Sequence, residues 1–95
     1  MVQFSKRKLE TTGFGDIDLR LLRVFRTIVH CNGFSAAQES LGMNQATIST
    51  HMRHLEERLG VRLCERGRGG FFLTDEGHLV FAACMELFGS IERFH

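Results

Sequence analysis

Gln45, Ala46, Ser49, Thr50 and Arg53 lie within nine residues of one another and bring together a carboxamide, two hydroxyls, a methyl and a guanidinium. None of these is a nucleophile paired with a base. As a set they are groove-sized, mostly polar groups, suited to hydrogen bonds with base edges and, for Arg53, with phosphate. Arg66 and Arg68, in the stretch Arg66-Gly67-Arg68-Gly69-Gly70, add two further phosphate-pairing cations. His51, His54 and Glu57 are three apart and have metal-ligand types, but His51 leans towards the apolar side of a helix while Glu57 points away, so they do not converge on one ion. No Ser-His-Asp order, nucleophile elbow or phosphate-cradling glycine loop is present, and an enzyme is not expected.

The elements that must position these groups are legible in the spacing. Ile48, Met52, Leu55 and Leu59 recur at four, three and four residues and share one helical face that must pack on something apolar. At about 100° per residue the opposite face carries Ala46, Thr50, Arg53 and Glu57, with Ser49 flanking and Gln45 at the exposed amino end. Asn44 is placed to cap this helix and Gly60 to end it. A shorter helix precedes it. Ser35 and Gln38 have the spacing of a capping box and Gly42 stops the helix after Leu41, so residues 34–53 predict a helix-turn-helix. Glu56 and Glu57 would repel phosphate, so base contacts are expected from the amino half of the second helix.

Upstream, Asp18 is expected to cap a first helix running to about Cys31, with Ile17 and Leu22 as a hydrophobic staple and Asn32-Gly33 as the left-handed turn that ends it. Residues 1–16, with Lys6-Arg7-Lys8 and no apolar periodicity, are expected to form a flexible arm. Downstream, Val61–Glu65 and Phe71–Leu73 predict a hairpin over 61–73 whose glycine-rich tip lets Arg66 and Arg68 project, a basic wing. Thr74 is placed to cap a last helix with Asp75 and Glu76 in its first turn. There Val80, Cys84, Leu87, Ile91 and Phe94 repeat at four-three-four-three spacing, flanked by Phe81, Met85 and Phe88. That is more apolar surface than one small core covers, and a second protein chain is expected on Val80, Cys84, Leu87, Phe88 and Ile91.

Composition sets the frame. Ninety-five residues with 43% apolar content suffice for one small domain. The longest apolar run, Leu79–Met85, is too short to cross a bilayer, no apolar amino-terminal stretch resembles a signal peptide, and a cytoplasmic location is expected. Three widely spaced cysteines form no C-x-x-C pair, which disfavours a disulfide scaffold or zinc cage. The net charge of +1 hides an asymmetry: residues 18–73 hold eight arginines against five acids, whereas 74–95 hold Arg93 against four. A basic head and an acidic tail fit one part touching phosphate and another facing away.

Over residues 17–94 the chain resembles the LysR-type transcriptional regulators, in Asp18–Phe25, Gly33-Phe34-Ser35-Ala36-Ala37, Leu55–Leu63 and Leu73-Thr74-Asp75-Glu76-Gly77. The resemblance implies a mainly α winged helix-turn-helix, a three-helix core plus a two-stranded wing over 17–74, followed by a long linker and dimerisation helix over 75–95. It implies that Gln45, Ala46, Ser49 and Thr50 approach major-groove base edges of double-stranded DNA, that the wing arginine reaches the minor groove, and that two copies pair through 74–94. Phosphate contacts are expected from Ser35 and Arg53, beside the cap residue Asn44. It further implies a bacterial, nucleoid-associated location and a small-molecule effector bound by a C-terminal domain. These residues do not contain that domain, so no cofactor is expected here and the chain is expected to be an excised part. Two positions depart from the family's habit, which often has proline at position 46 and a basic residue at 50. Thr50 offers only a hydroxyl where a guanidinium would make a two-pronged guanine contact. The competing expectation is a winged helix that binds protein and no DNA; a role for the cysteines in redox sensing is a third.

Overall fold

The computed structural model describes residues 19–67 and 70–94. Helices α1 (Leu19–Cys31), α2 (Phe34–Leu41) and α3 (Gln45–Leu59) lead into strands β1 (Cys64–Gly67) and β2 (Gly70–Leu73), and α4 (Asp75–Glu92) closes the order. The fold is the expected winged helix-turn-helix with a long helix after the wing. The expected arm over 1–16, the cap and staple at Asp18 and Ile17, and the loop residues Arg68 and Gly69 lie outside the described residues, as does His95.

The core is apolar throughout: among the described residues no polar or charged side chain is buried. Phe25 and Ile28 of α1, Ala37 of α2, Ile48 and Leu55 of α3, and Leu63 before the wing are wholly inside. Each of the large side chains contributes about 1.5–3 kcal/mol by leaving water. The α3 stripe is complete, since Met52 and Leu59 are buried with Ile48 and Leu55.

Caps fix where the helices begin and end. The Asn44 carboxamide oxygen accepts the Thr47 amide at 2.8 Å, and Gly42 and Gly60 close α2 and α3 in left-handed conformations that cost a residue with a Cβ. The capping box at Ser35 does not form. Asn32 has a positive φ of 62° and Gly33 one of 151°, so the chain enters α2 two residues early, with Gly33 at the cap, no side-chain cap bond, and Ser35 already inside the helix.

The wing is an antiparallel pair with Cys64 opposite Leu73 and Arg66 opposite Phe71. It starts later than expected. Residues 61–63 form a strap in which the Glu56 carboxylate accepts the Leu63 amide at 2.7 Å and the Leu63 carbonyl accepts the Thr74 amide at 3.0 Å. Thr74 joins strap, wing and helix: its hydroxyl donates to the Arg62 carbonyl at 2.6 Å and accepts from the Gly77 amide at 2.9 Å, capping α4 as expected. A Cβ at Gly77 would collide with the Leu63 carbonyl, so glycine permits α4 to lie against the strap.

Helix α4 corrects the expected dimer surface. Val80, Cys84 and Phe88 are buried at 4%, 2% and 4% exposure in this chain's own core. Phe81 meets the Phe25 ring edge-on at 6.2 Å, and the Arg26 guanidinium sits 4.3 Å from the centre of the Phe88 ring. These three side chains are not open to a second copy, because α1 covers the face they occupy. Leu87 and Ile91 are half-buried, while Leu79, Met85 and Phe94 are exposed.

Candidate nucleic-acid interface

The amino end of α3 is open. Gln45 and Ala46 are exposed and Ser49 and Thr50 half-buried, so none of the four is sealed inside the described chain. Capping spends the Asn44 oxygen on Thr47 and uses none of the amide hydrogens of this exposed side chain. The Thr50 hydroxyl donates to the Ala46 carbonyl at 3.0 Å and keeps only its lone pairs for a ligand. Thr50 is therefore an acceptor, which narrows what it can read.

Two clefts flank this helix end. One is lined by Ser49, Arg53, Glu56, Arg62 and Arg66 over Phe34, Met52 and Cys64. The other is lined by Ser35, Gln45, Arg66 and Phe71 with the glycines Gly33, Gly67 and Gly70. Of the sequence-predicted site residues, Ser35, Gln45, Ser49, Arg53 and Arg66 thus come together around α3 and the wing, while Ala46 and Thr50 lie outside both clefts and Arg68 is outside the described residues. Arg62 was not anticipated as a site residue. It reaches the Glu65 carboxylate at 3.2 Å in an exposed ion pair and lines the first cleft. Its signal in the sequence was only its charge.

The electrostatics favour an anion. Arg53, Arg62 and Arg66 surround a cleft whose single acid, Glu56, is held on the Leu63 amide rather than aimed at the mouth. Glu56, expected to repel phosphate, also ties α3 to the strap before the wing through the Leu63 amide. Arg66 stacks its guanidinium on the Phe34 ring at 4.0 Å.

The thiols are poor candidates for chemistry. Burial pushes Cys64 up to about 11, with Glu56 adding to it, and burial likewise pushes Cys84 up to about 11 against the opposing pull of Arg26. Both stay protonated at neutral pH and so are weak nucleophiles. Cys31 is half-buried, 3.8 Å from the Ser40 hydroxyl. His51 is half-buried while His54 and Glu57 are exposed; among the described residues no three His, Cys, Asp or Glu side chains gather around one point.

A sequence model of the bacterial regulatory helix-turn-helix proteins of the lysR family matches residues 19–78. The chain belongs to this family. The HTH-type transcriptional activator BauR of Pseudomonas aeruginosa is 56% identical over 79 residues, 83% of this chain and 26% of BauR. The regulator BenM of Acinetobacter baylyi is 32% identical over 77 residues, 81% of this chain and 25% of BenM. The chain therefore spans about a quarter of the length of these family members. Among solved structures, the BenM DBD in complex with catB site 1 DNA superposes with a TM-score of 0.77 at 32% identity, covering 82% of this chain and 88% of that one. A CbnR DBD–DNA complex gives 0.75 at 30% identity, covering 81% and 88%. No helix among the described residues is long and apolar enough to cross a membrane.

Proposed function

We propose that this chain reads double-stranded DNA as the winged helix-turn-helix of a LysR-type transcriptional regulator. The observation that carries the reading is the placement of Gln45, Ser49, Arg53 and Arg66 around one open helix end with an arginine rim. The amino half of α3 enters the major groove, where Gln45 and Ser49 meet base edges and Ala46 offers a methyl. Arg53, Ser35 and the exposed amide of Asn44 take phosphates and set the register. Arg68 is assigned to the minor groove beside the wing. No cofactor is needed for this act, and it places the chain at the nucleoid, in the bacterial cytoplasm.

A second copy is assigned to the part of α4 that the core leaves uncovered, with the half-buried Leu87 and Ile91 retained from the expected dimer surface and the exposed Leu79 and, past the helix end, Phe94 added to it. Exposed apolar side chains at 52% and 90% are what a two-fold pairing of this helix would cover. Two α3 helices would then meet two half-sites related by inversion.

Selecting bound duplexes from a random-sequence pool tests both parts. A palindromic motif, with affinity falling steeply between low and moderate salt, is the expected result. Recovery of no motif and salt-insensitive binding to protein partners would replace this reading with the protein-interaction alternative.

A further inference from the structure

We propose that Phe34, a core residue, is also a positioning residue for DNA recognition, acting as the platform that aims Arg66; this rests on the DNA-binding reading. Phe34 is 6% exposed, and the central carbon of the Arg66 guanidinium lies over its ring, 4.0 Å from the centre. Phe71, the cross-strand partner of Arg66, braces the same ring at 6.2 Å and an interplanar angle of 62°. Cross-strand partners stand on one face of a hairpin, so Arg66 and Phe71 reach α2 together.

The stack has a chemical consequence. A guanidinium held over a ring by cation–π attraction spends no N–H···O bond there and keeps donors for an anion. Among the described residues the Arg66 guanidinium makes no hydrogen bond and no ion pair, and beyond the ring it acts only through its field on the Cys64 thiol. Arg66 and Phe34 are the two residues shared by the two clefts, with Ser49 and Arg53 on one side and Ser35 and Gln45 on the other. The ring therefore holds a cation where a phosphate must pass if Gln45 and Ser49 are to reach base edges. Holding it there before DNA arrives removes the ordering cost that a free arginine would meet on binding.

A double-mutant cycle tests this, with affinity for the duplex recovered by selection as the readout. Phe34→Leu keeps an apolar side chain in the core and removes the platform, and the expected loss is about two- to fivefold. In an Arg66→Ala background the same change is expected to cost nothing further. Equal losses from Phe34→Leu in both backgrounds would mean that the ring acts only through packing, and would overturn the proposal. Should Phe34→Leu not fold, Arg66→Lys decides: a lysine keeps the charge but not the planar fork, so it is expected to bind nearly as weakly as Arg66→Ala, and full recovery would overturn the proposal. Arg53→Ala separates the two levels of the argument. If it weakens binding while the Phe34 and Arg66 effects simply add, the platform fails and the DNA reading stands; a wild-type chain that binds no duplex sinks both.

Discussion

Helices α3 and α4 carry the same kind of apolar repeat and use it differently. In α3 the stripe Ile48, Met52, Leu55 and Leu59 is fully inside and the opposite face is polar. In α4 the inner stripe Val80, Cys84 and Phe88 is equally buried, yet Leu79 and Met85 remain outside, as does Phe94 just past its end. Period alone says that a helix has an apolar face and does not say which body covers it. The surplus carries that information: apolar side chains left over after α1 has taken its share mark the side of α4 available to another chain, whereas α3 has no surplus and so offers its free side to a polar ligand.

Several substitutions would break or sharpen this contrast. Phe88→Ala should cost about 3–5 kcal/mol of folding stability in urea, independent of protein concentration, because it empties a core site; a loss that vanished on dilution would return Phe88 to the dimer surface. Gly77→Ala should cost about 1–3 kcal/mol by driving α4 off the Leu63 carbonyl. Stability should also fall as pH rises from 9 towards 11. Folded Cys84 and Cys64 keep protons that the unfolded chain releases from about 9, so the stabilisation is intact below that pH and is lost above it, at most about 1.4 kcal/mol per unit per thiol. Cys84→Ala should halve that part of the slope; no change would mean that α4 does not hold its thiol away from water. Leu79→Ser should move folding stability by no more than about 0.5 kcal/mol while weakening self-association in sedimentation.

Much of this architecture was legible because short-range rules govern it. The cap at Asn44, the stops at Gly42 and Gly60, the cap at Thr74 and the α3 stripe all depend on residues within a turn or two of each other. What was missed is tertiary. Ser35 and Gln38 have capping-box spacing, but the turn at Asn32 and Gly33 starts the helix too early for the hydroxyl to serve. The strap over 61–63 follows from the Glu56 carboxylate, seven residues back, which no strand pattern reveals. The spacing of Val80, Cys84 and Phe88 predicts a partner chain because nothing in it shows that α1 lies across them. The stacking of Arg66 on Phe34 joins residues thirty-two apart in sequence and only the packed wing brings them together.

The central claim is that the open end of α3 reads bases while its arginine rim holds the backbone. Dissociation constants of the wild-type chain and Gln45→Ala on the selected duplex and on a scrambled one test it most directly. Gln45→Ala is expected to lose about 1–3 kcal/mol on the selected duplex and almost nothing on the scrambled one. Equal losses on the two duplexes would contradict it.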